Sequence, residues 1–127
     1  MRLLIDTHVL IWWWDDDPKL GRRRSLLTDR SNDIWVSAVS AWEIANKVRR
    51  GQLPTMASRI VEYRLAVIDD GFAHLAVDEG HALAAGMLVG DHRDPFDRLL
   101  AAQSMQEGMA MMTCDPQFLG FGCEVIW

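Results

Sequence analysis

The stretch Leu3-Leu4-Ile5-Asp6-Thr7-His8-Val9-Leu10-Ile11-Trp12 decides the fold. Three apolar residues in a row read as a short strand buried on both faces. An aspartate follows at once. Thr7 to Trp14 is apolar and suits a helix closed by Asp15-Asp16-Asp17-Pro18. The same alternation recurs downstream. Ile34-Trp35-Val36-Ser37, Ala73 to Val77, Met109 to Thr113 and Glu124 to Ile126 read as further strands. Lys19 to Arg30, Ser40 to Arg50, Met56 to Ile68, Asp78 to Val89 and Asp94 to Glu107 read as helices, with Gly51 and Gly108 as stops. The expected fold class is α/β, a three-layer α/β/α sandwich around a central parallel sheet.

At 127 residues the chain is one domain, expected to span 1–127 without linker or repeat. It can bury roughly two-thirds of its unfolded surface, enough for an unstapled core. No apolar run approaches the roughly 20 residues that span a bilayer. Met1-Arg2-Leu3-Leu4-Ile5-Asp6 meets a charge too early for a signal peptide. A cytoplasmic protein with no membrane contact is expected. Cys114 and Cys123 form no C-x-x-C pair, and the four histidines show no H-x-H or H-E-x-x-H spacing. A disulfide framework and a Cys or His zinc site are therefore unsupported, and the thiols read as packing residues.

In parallel α/β sheets, ligands bind beyond the carboxyl ends of the strands, near the point where strand order reverses. Asp6 follows the first strand directly, and there it suits either a helix cap or a metal ligand. Asp115, in Thr113-Cys114-Asp115-Pro116, lies two residues beyond the fourth strand and also suits a plain Asp-Pro turn. Glu43 shares a helix face with Lys47, so a surface Glu–Lys pair competes with a functional role. In Asp94-Pro95-Phe96-Asp97-Arg98-Leu99-Leu100-Ala101, Pro95 suits the first helical position and makes Asp94 the cap. Asp97 then shares the buried stripe with Leu100 and Ala101, where an unpartnered carboxylate is costly. That favours a ligand role for Asp97. Two unit charges 4 Å apart repel by about 4 kcal/mol at an effective dielectric of 20. Four carboxylates gathered at one sheet edge therefore call for a cation. Hard oxygen ligands select Mg²⁺ or Mn²⁺, whose chemistry suits phosphodiester hydrolysis.

The formal net charge of -5 opposes general affinity for nucleic acid. Positive charge clusters locally instead, as Arg22-Arg23-Arg24, as Lys47 with Arg49-Arg50, and as Arg93 with Arg98. The first run alone is readable as a solvated helix face. Trp12-Trp13-Trp14 cannot all face one core at 100° per residue. Core plus edge packing is expected, with a partner contact or base stacking as alternatives.

The motifs resemble those of PIN-domain nucleases, and more closely the VapC-type toxins of bacterial toxin–antitoxin pairs. The matching stretches are Leu3 to Trp12, Ser40-Ala41-Trp42-Glu43-Ile44, Asp94 to Gln103, and Thr113-Cys114-Asp115. The resemblance implies an α/β/α sandwich, Mg²⁺-dependent RNA cleavage, and neutralisation by a cognate antitoxin; a homodimer is expected. It makes Asp6 and Asp97 the principal metal ligands. Glu43 completes the set or orients a water, Asp115 supports a second ion or the water network, and Thr7 and Thr113 lend hydroxyls. Lys47, Arg50, Arg93 and Arg98 become candidate contacts to RNA phosphates. The sequence disfavours two other phosphoryl chemistries. A receiver-type phosphoacceptor needs paired acids after the first strand, and a dehalogenase-type phosphatase needs D-x-D, where this chain has Asp6-Thr7-His8. A non-catalytic RNA-binding or interaction module on the same fold is the alternative function.

Overall fold

A computed structural model describes all residues from Met1 to Trp127. Five parallel strands, β1 (Arg2–Ile5), β2 (Asp33–Ser37), β3 (Ala73–Leu75), β4 (Ala110–Met112) and β5 (Val125–Ile126), line up in the order β3-β2-β1-β4-β5. The chain builds outward from β1 in one direction, then returns to build in the other. The reversal falls between β1 and β4.

Leu3, Leu4 and Ile5 are all fully buried, as a central strand covered on both faces requires. The pleat sends Leu3 and Ile5 into one core and Leu4 into the other. Register keeps the neighbours in step. Leu3 pairs with Ile34 and Ala110, and Ile5 with Val36 and Met112, all in the first core. Met111, beside Leu4, joins the second. Helices α1 (Thr7–Trp14), α2 (Arg24–Thr28), α4 (Ala57–Val61) and α5 (Tyr63–Asp69) belong to the first side. Helix α7 (Pro95–Gln106) and the short α8 (Gln117–Gly120) cover the second, with α6 (Glu79–Met87) against α7. Helix α3 (Ala38–Arg49) reaches both, through Ile44 and Val39. This is the expected three-layer sandwich.

Four elements differ from the sequence reading, the first being α8, which it does not anticipate. The Lys19–Arg30 helix is broken. Gly21 takes φ 52° and ψ -133°, a conformation a side chain would strain, so a 3₁₀ turn (Pro18–Arg23) precedes a five-residue α2. The Met56–Ile68 helix splits at Glu62 (φ -121°, ψ 34°), and Tyr63 beyond the break packs edge-on against Trp14 at 5.5 Å. Helix α3 begins at Ala38, because the Ser37 hydroxyl accepts the Val39 N–H at 3.1 Å.

The tryptophan run resolves into inward and edge positions, as expected. Trp14 is buried, and Trp12 and Trp13 are half-buried. The indoles of Trp13 and Trp14 both donate to Asp70 Oδ2, at 3.0 and 2.7 Å. That carboxylate ties the end of α1 to the turn after α5. Asp70→Ala orphans two shielded donors, so urea unfolding should show a loss of about 2 kcal/mol. The midpoint should fall with an unchanged slope, and Asp70→Asn should lose less. A wild-type midpoint for Asp70→Ala would mean that water satisfies both indoles.

Candidate active site

Asp6 leaves β1 at the reversal point, where its N–H still pairs with Met112 O at 3.0 Å. It occupies the cap position of α1, yet its side chain makes no capping bond. Its Oδ2 instead accepts the Thr113 hydroxyl at 2.7 Å, in a setting that leaves Asp6 only 4% exposed. Thr113 Oγ1 in turn accepts the Asp115 N–H at 3.0 Å. His8 Nδ1 stands 3.7 Å from the same Asp6 oxygen, an ion-pair distance beyond hydrogen bonding. The Asp6 carboxylate raises the His8 pKa against the opposing effect of burial.

Glu43 takes Thr7, not Lys47, as its partner, with the Thr7 hydroxyl donating to Oε1 at 2.7 Å. That proton committed, the Ser40 hydroxyl must donate to Thr7 Oγ1 across 2.9 Å. Ser40 and Glu43 lie three apart on one face of α3, so a single threonine of α1 clasps both. On α7, Asp94 Oδ1 caps the helix by accepting the Phe96 and Asp97 N–H groups at 2.9 and 3.3 Å. The side chain of Asp97 is thereby spared that task, and Oδ2 lies 2.7 Å from His92 Nε2.

Burial raises the pKa of both Glu43 and Asp97. Thr7 opposes the shift at Glu43 and His92 at Asp97. Repulsion from Asp6 and Asp94 adds to it at both, and Asp97 further raises Glu43. Three acids more than thirty residues apart in sequence thus share one field. Asp115 is half-buried at the rim, where Oδ1 opens α8 by accepting the Gln117 N–H at 2.9 Å. The turn reading of Asp115 is met, and the second oxygen is left over. No three of these carboxylates bring oxygens within 4.8 Å of one another. One ion would therefore touch one or two of them and reach the others through water, which is how Mg²⁺ is commonly held. The donors are all oxygen, and they fit a hard divalent cation.

The PIN domain family pattern matches residues 3–121. The chain belongs to that family. Its fold is similar to a chain of VapBC2 from Rickettsia felis bound to promoter DNA (TM-score 0.72, 14% identity, 99% of this chain and 98% of that one). A chain of DNA-bound VapBC from Salmonella typhimurium is also similar (0.68, 18%, 99% and 97%), as is one of FitAcB from Neisseria gonorrhoeae (0.62, 18%, 98% and 96%). No curated protein matches the sequence.

Around the acids of this PIN domain, the expected phosphate contacts separate. Lys47 follows Glu43 by one turn of α3, and its charge reaches His8. Arg50 caps the exposed end of that helix. Arg93 lines an open groove of about 390 Å³ beside His92. Arg98 is a correction. Its guanidinium turns inward and donates to Ala85 O at 3.0 Å, to His92 O at 3.1 Å and to Leu88 O. It braces the loop between α6 and α7, and is spent on backbone carbonyls.

Sequence reasoning assigns no role to Ser40, His8 or His92. Ser40 is legible as the i−3 neighbour of Glu43; His92 precedes its helix and leaves no periodic signal. A second cluster, Asp78, His81 and Glu107, lies at the opposite end of α7 and is structural. Asp78 Oδ1 accepts the His81 N–H at 2.9 Å, the Asp78 N–H faces His81 Nδ1 at 3.1 Å, and His81 Nε2 meets Glu107 at 2.8 Å. One ring nitrogen is taken by the cap of α6 and the other by Glu107 at the end of α7.

A carboxyl whose folded pKa is raised binds protons more readily folded than unfolded. Stability contributed by Glu43 and Asp97 is therefore lost as pH rises from the ordinary carboxyl range through the raised values. In chelator, the melting temperature should fall across that window, and the raised His8 extends the decline upward. Asp97→Asn should flatten the decline. A melting curve for Asp97→Asn parallel to the wild type would contradict the shared field.

Proposed function

We propose that this PIN domain is a Mg²⁺-dependent endoribonuclease, a VapC-type toxin of a toxin–antitoxin pair held inactive by a cognate antitoxin. The observation that carries the reading is the convergence of Asp6, Glu43 and Asp97 on one field at the strand-order reversal. A Mg²⁺ or Mn²⁺ ion bound there would supply a water of lowered pKa and offset charge on the phosphoryl oxygens. Asp6 and Asp97 would hold the ion. Thr113 fixes the rotamer of Asp6, as His92 does that of Asp97. Glu43, set by Thr7, would orient the attacking water, and Asp115 would support the water network. Water attacks phosphorus in line, the P–O3′ bond breaks, and the ends carry 3′-hydroxyl and 5′-phosphate. Of the four candidate cations near the acids, Lys47, Arg50 and Arg93 are left to meet phosphates.

The VapBC and FitAcB complexes of similar fold support an antitoxin partner. A homodimer acting in the cytoplasm belongs to the same proposal. Exposed Leu83, Met87 and Val89 on and just after α6 support a docking face. No helix is long and apolar enough to cross a membrane.

Purified protein should cut RNA with Mg²⁺ or Mn²⁺ and not in chelator. Asp6→Asn and Asp97→Asn should each lower the rate at least about a hundredfold, about 2.7 kcal/mol of barrier. Saturating metal should raise the melting temperature, by about 2.7 kcal/mol of stability at a hundred times Kd. Full cleavage by both variants would sink the assignment. RNA binding with neither cleavage nor metal-dependent melting would favour the non-catalytic module.

A further inference from the structure

Two runs of sequence find no use in the proposed reaction, Trp12-Trp13-Trp14 and Arg22-Arg23-Arg24. The structure interlocks them. Lys19 Nζ lies 5.6 Å from the Trp12 ring centre, and the Arg24 guanidinium 4.5 Å from that of Trp13. The Arg23 guanidinium lies 4.5 Å over Trp127. Trp13 and Trp14 are committed inward to Asp70. Trp12 stands apart: its ring is 6.0 Å from that of His8 on one side and 5.9 Å from that of Trp127 on the other. His8 itself abuts Asp6. Two ring-to-ring steps therefore connect the acidic site to Trp127.

Trp127 walls an open groove of about 550 Å³ with Arg22 and Arg23. Lys19 and Arg24 are paired with Asp17 and Asp16, at 3.8 and 3.0 Å. Arg22 and Arg23 have no carboxylate partner. The Nε of Arg23 is buried without an acceptor, although its charge is felt at Cys114, next to Asp115. A guanidinium stacked on an indole keeps its edge free for bidentate contact with a phosphate. In a chain of net charge -5, a groove with two arginines free of carboxylates, one of them over an indole, favours a polyanion with flat rings. Bases can stack on such rings only when unpaired, which excludes a duplex.

We propose that single-stranded RNA runs along this strip, one base stacking on Trp127, adjacent phosphates held by Arg22 and Arg23, and the strand passing Trp12 to the carboxylates. This rests on the nuclease reading and adds a substrate path to it. The test is fluorescence anisotropy of a labelled eight-nucleotide RNA, in chelator and on an Asp97→Asn background to prevent cutting. Trp127→Ala should weaken binding about tenfold. Trp127→Phe should keep most of the affinity. Arg22→Ala with Arg23→Ala should make the slope of log K against log salt shallower by about 1.4, near 0.7 per lost phosphate contact. Annealing the RNA to its complement should abolish the effect of Trp127→Ala. Arg22 is exposed and Arg23 half-buried at the open groove, and neither holds an ion pair, so their arm stands even if Trp127→Ala destabilises the fold. Wild-type affinity and slope in both the Trp127→Ala and double-arginine variants, with RNA cut by the wild type, would overturn the path alone and leave the strip to a protein partner. A wild type that neither binds nor cuts RNA would overturn both proposals.

Discussion

Leu3, Leu4 and Ile5 meet no solvent on either face of the sheet, and β1 is hydrogen-bonded on both edges. A strand so enclosed can present a polar side chain only where it ends. The first residue past it is Asp6, and β4 ends beside it at Thr113. The helices obey the same enclosure. Helix α1 must turn back over the Leu3 and Ile5 face, which brings Thr7 to Glu43 of α3. Helix α7 must cover the Leu4 face, which sets Asp97 in its first turn at the same edge. The acidic site follows from the layering of the sandwich.

Crowding acids there carries an electrostatic burden that hydrogen-bonding neighbours partly relieve. Thr113 holds one oxygen of Asp6, Thr7 one of Glu43, and His92 one of Asp97. Each contact fixes an oxygen without neutralising the cluster, so Glu43 and Asp97 remain shifted upward. A site in that condition is poised for a cation. The basic residues nearby divide by the same logic of placement. Lys47 and Arg93 remain at the surface, whereas Arg98 is drawn inward onto carbonyls at the end of α6 and in the loop after it.

The strands, their parallel order and the two-sided core were legible because Leu3-Leu4-Ile5 admits no half-exposed reading. Asp94 as cap was legible from Pro95, and Asp97 as the inward acid from the stripe it shares with Leu100 and Ala101. The cap-or-ligand ambiguity at Asp6 was not, since it turns on Thr113, more than a hundred residues away. The Glu43–Lys47 pair was reasonable on one helix, and fails because Thr7 of another helix reaches Glu43 first. Helix breaks at Gly21 and Glu62 left weak traces, and Arg98 looked free because the carbonyls it serves belong to the end of α6 and the loop after it, off its own helix. What local pattern determines could be read; what distant segments supply could not.

The bond from Thr113 to Asp6 spans 107 positions of the chain. The carboxylate is therefore synthesised well before the hydroxyl that will hold it. Until β4 has been made and has docked beside β1, Asp6 lacks the hydroxyl that sets its rotamer and the strand that walls its edge. A chain that attacks RNA, as proposed, acquires its working geometry only once β4 has been synthesised and docked. The order of strands in the sheet thereby withholds the activity from any nascent chain that has not yet reached β4.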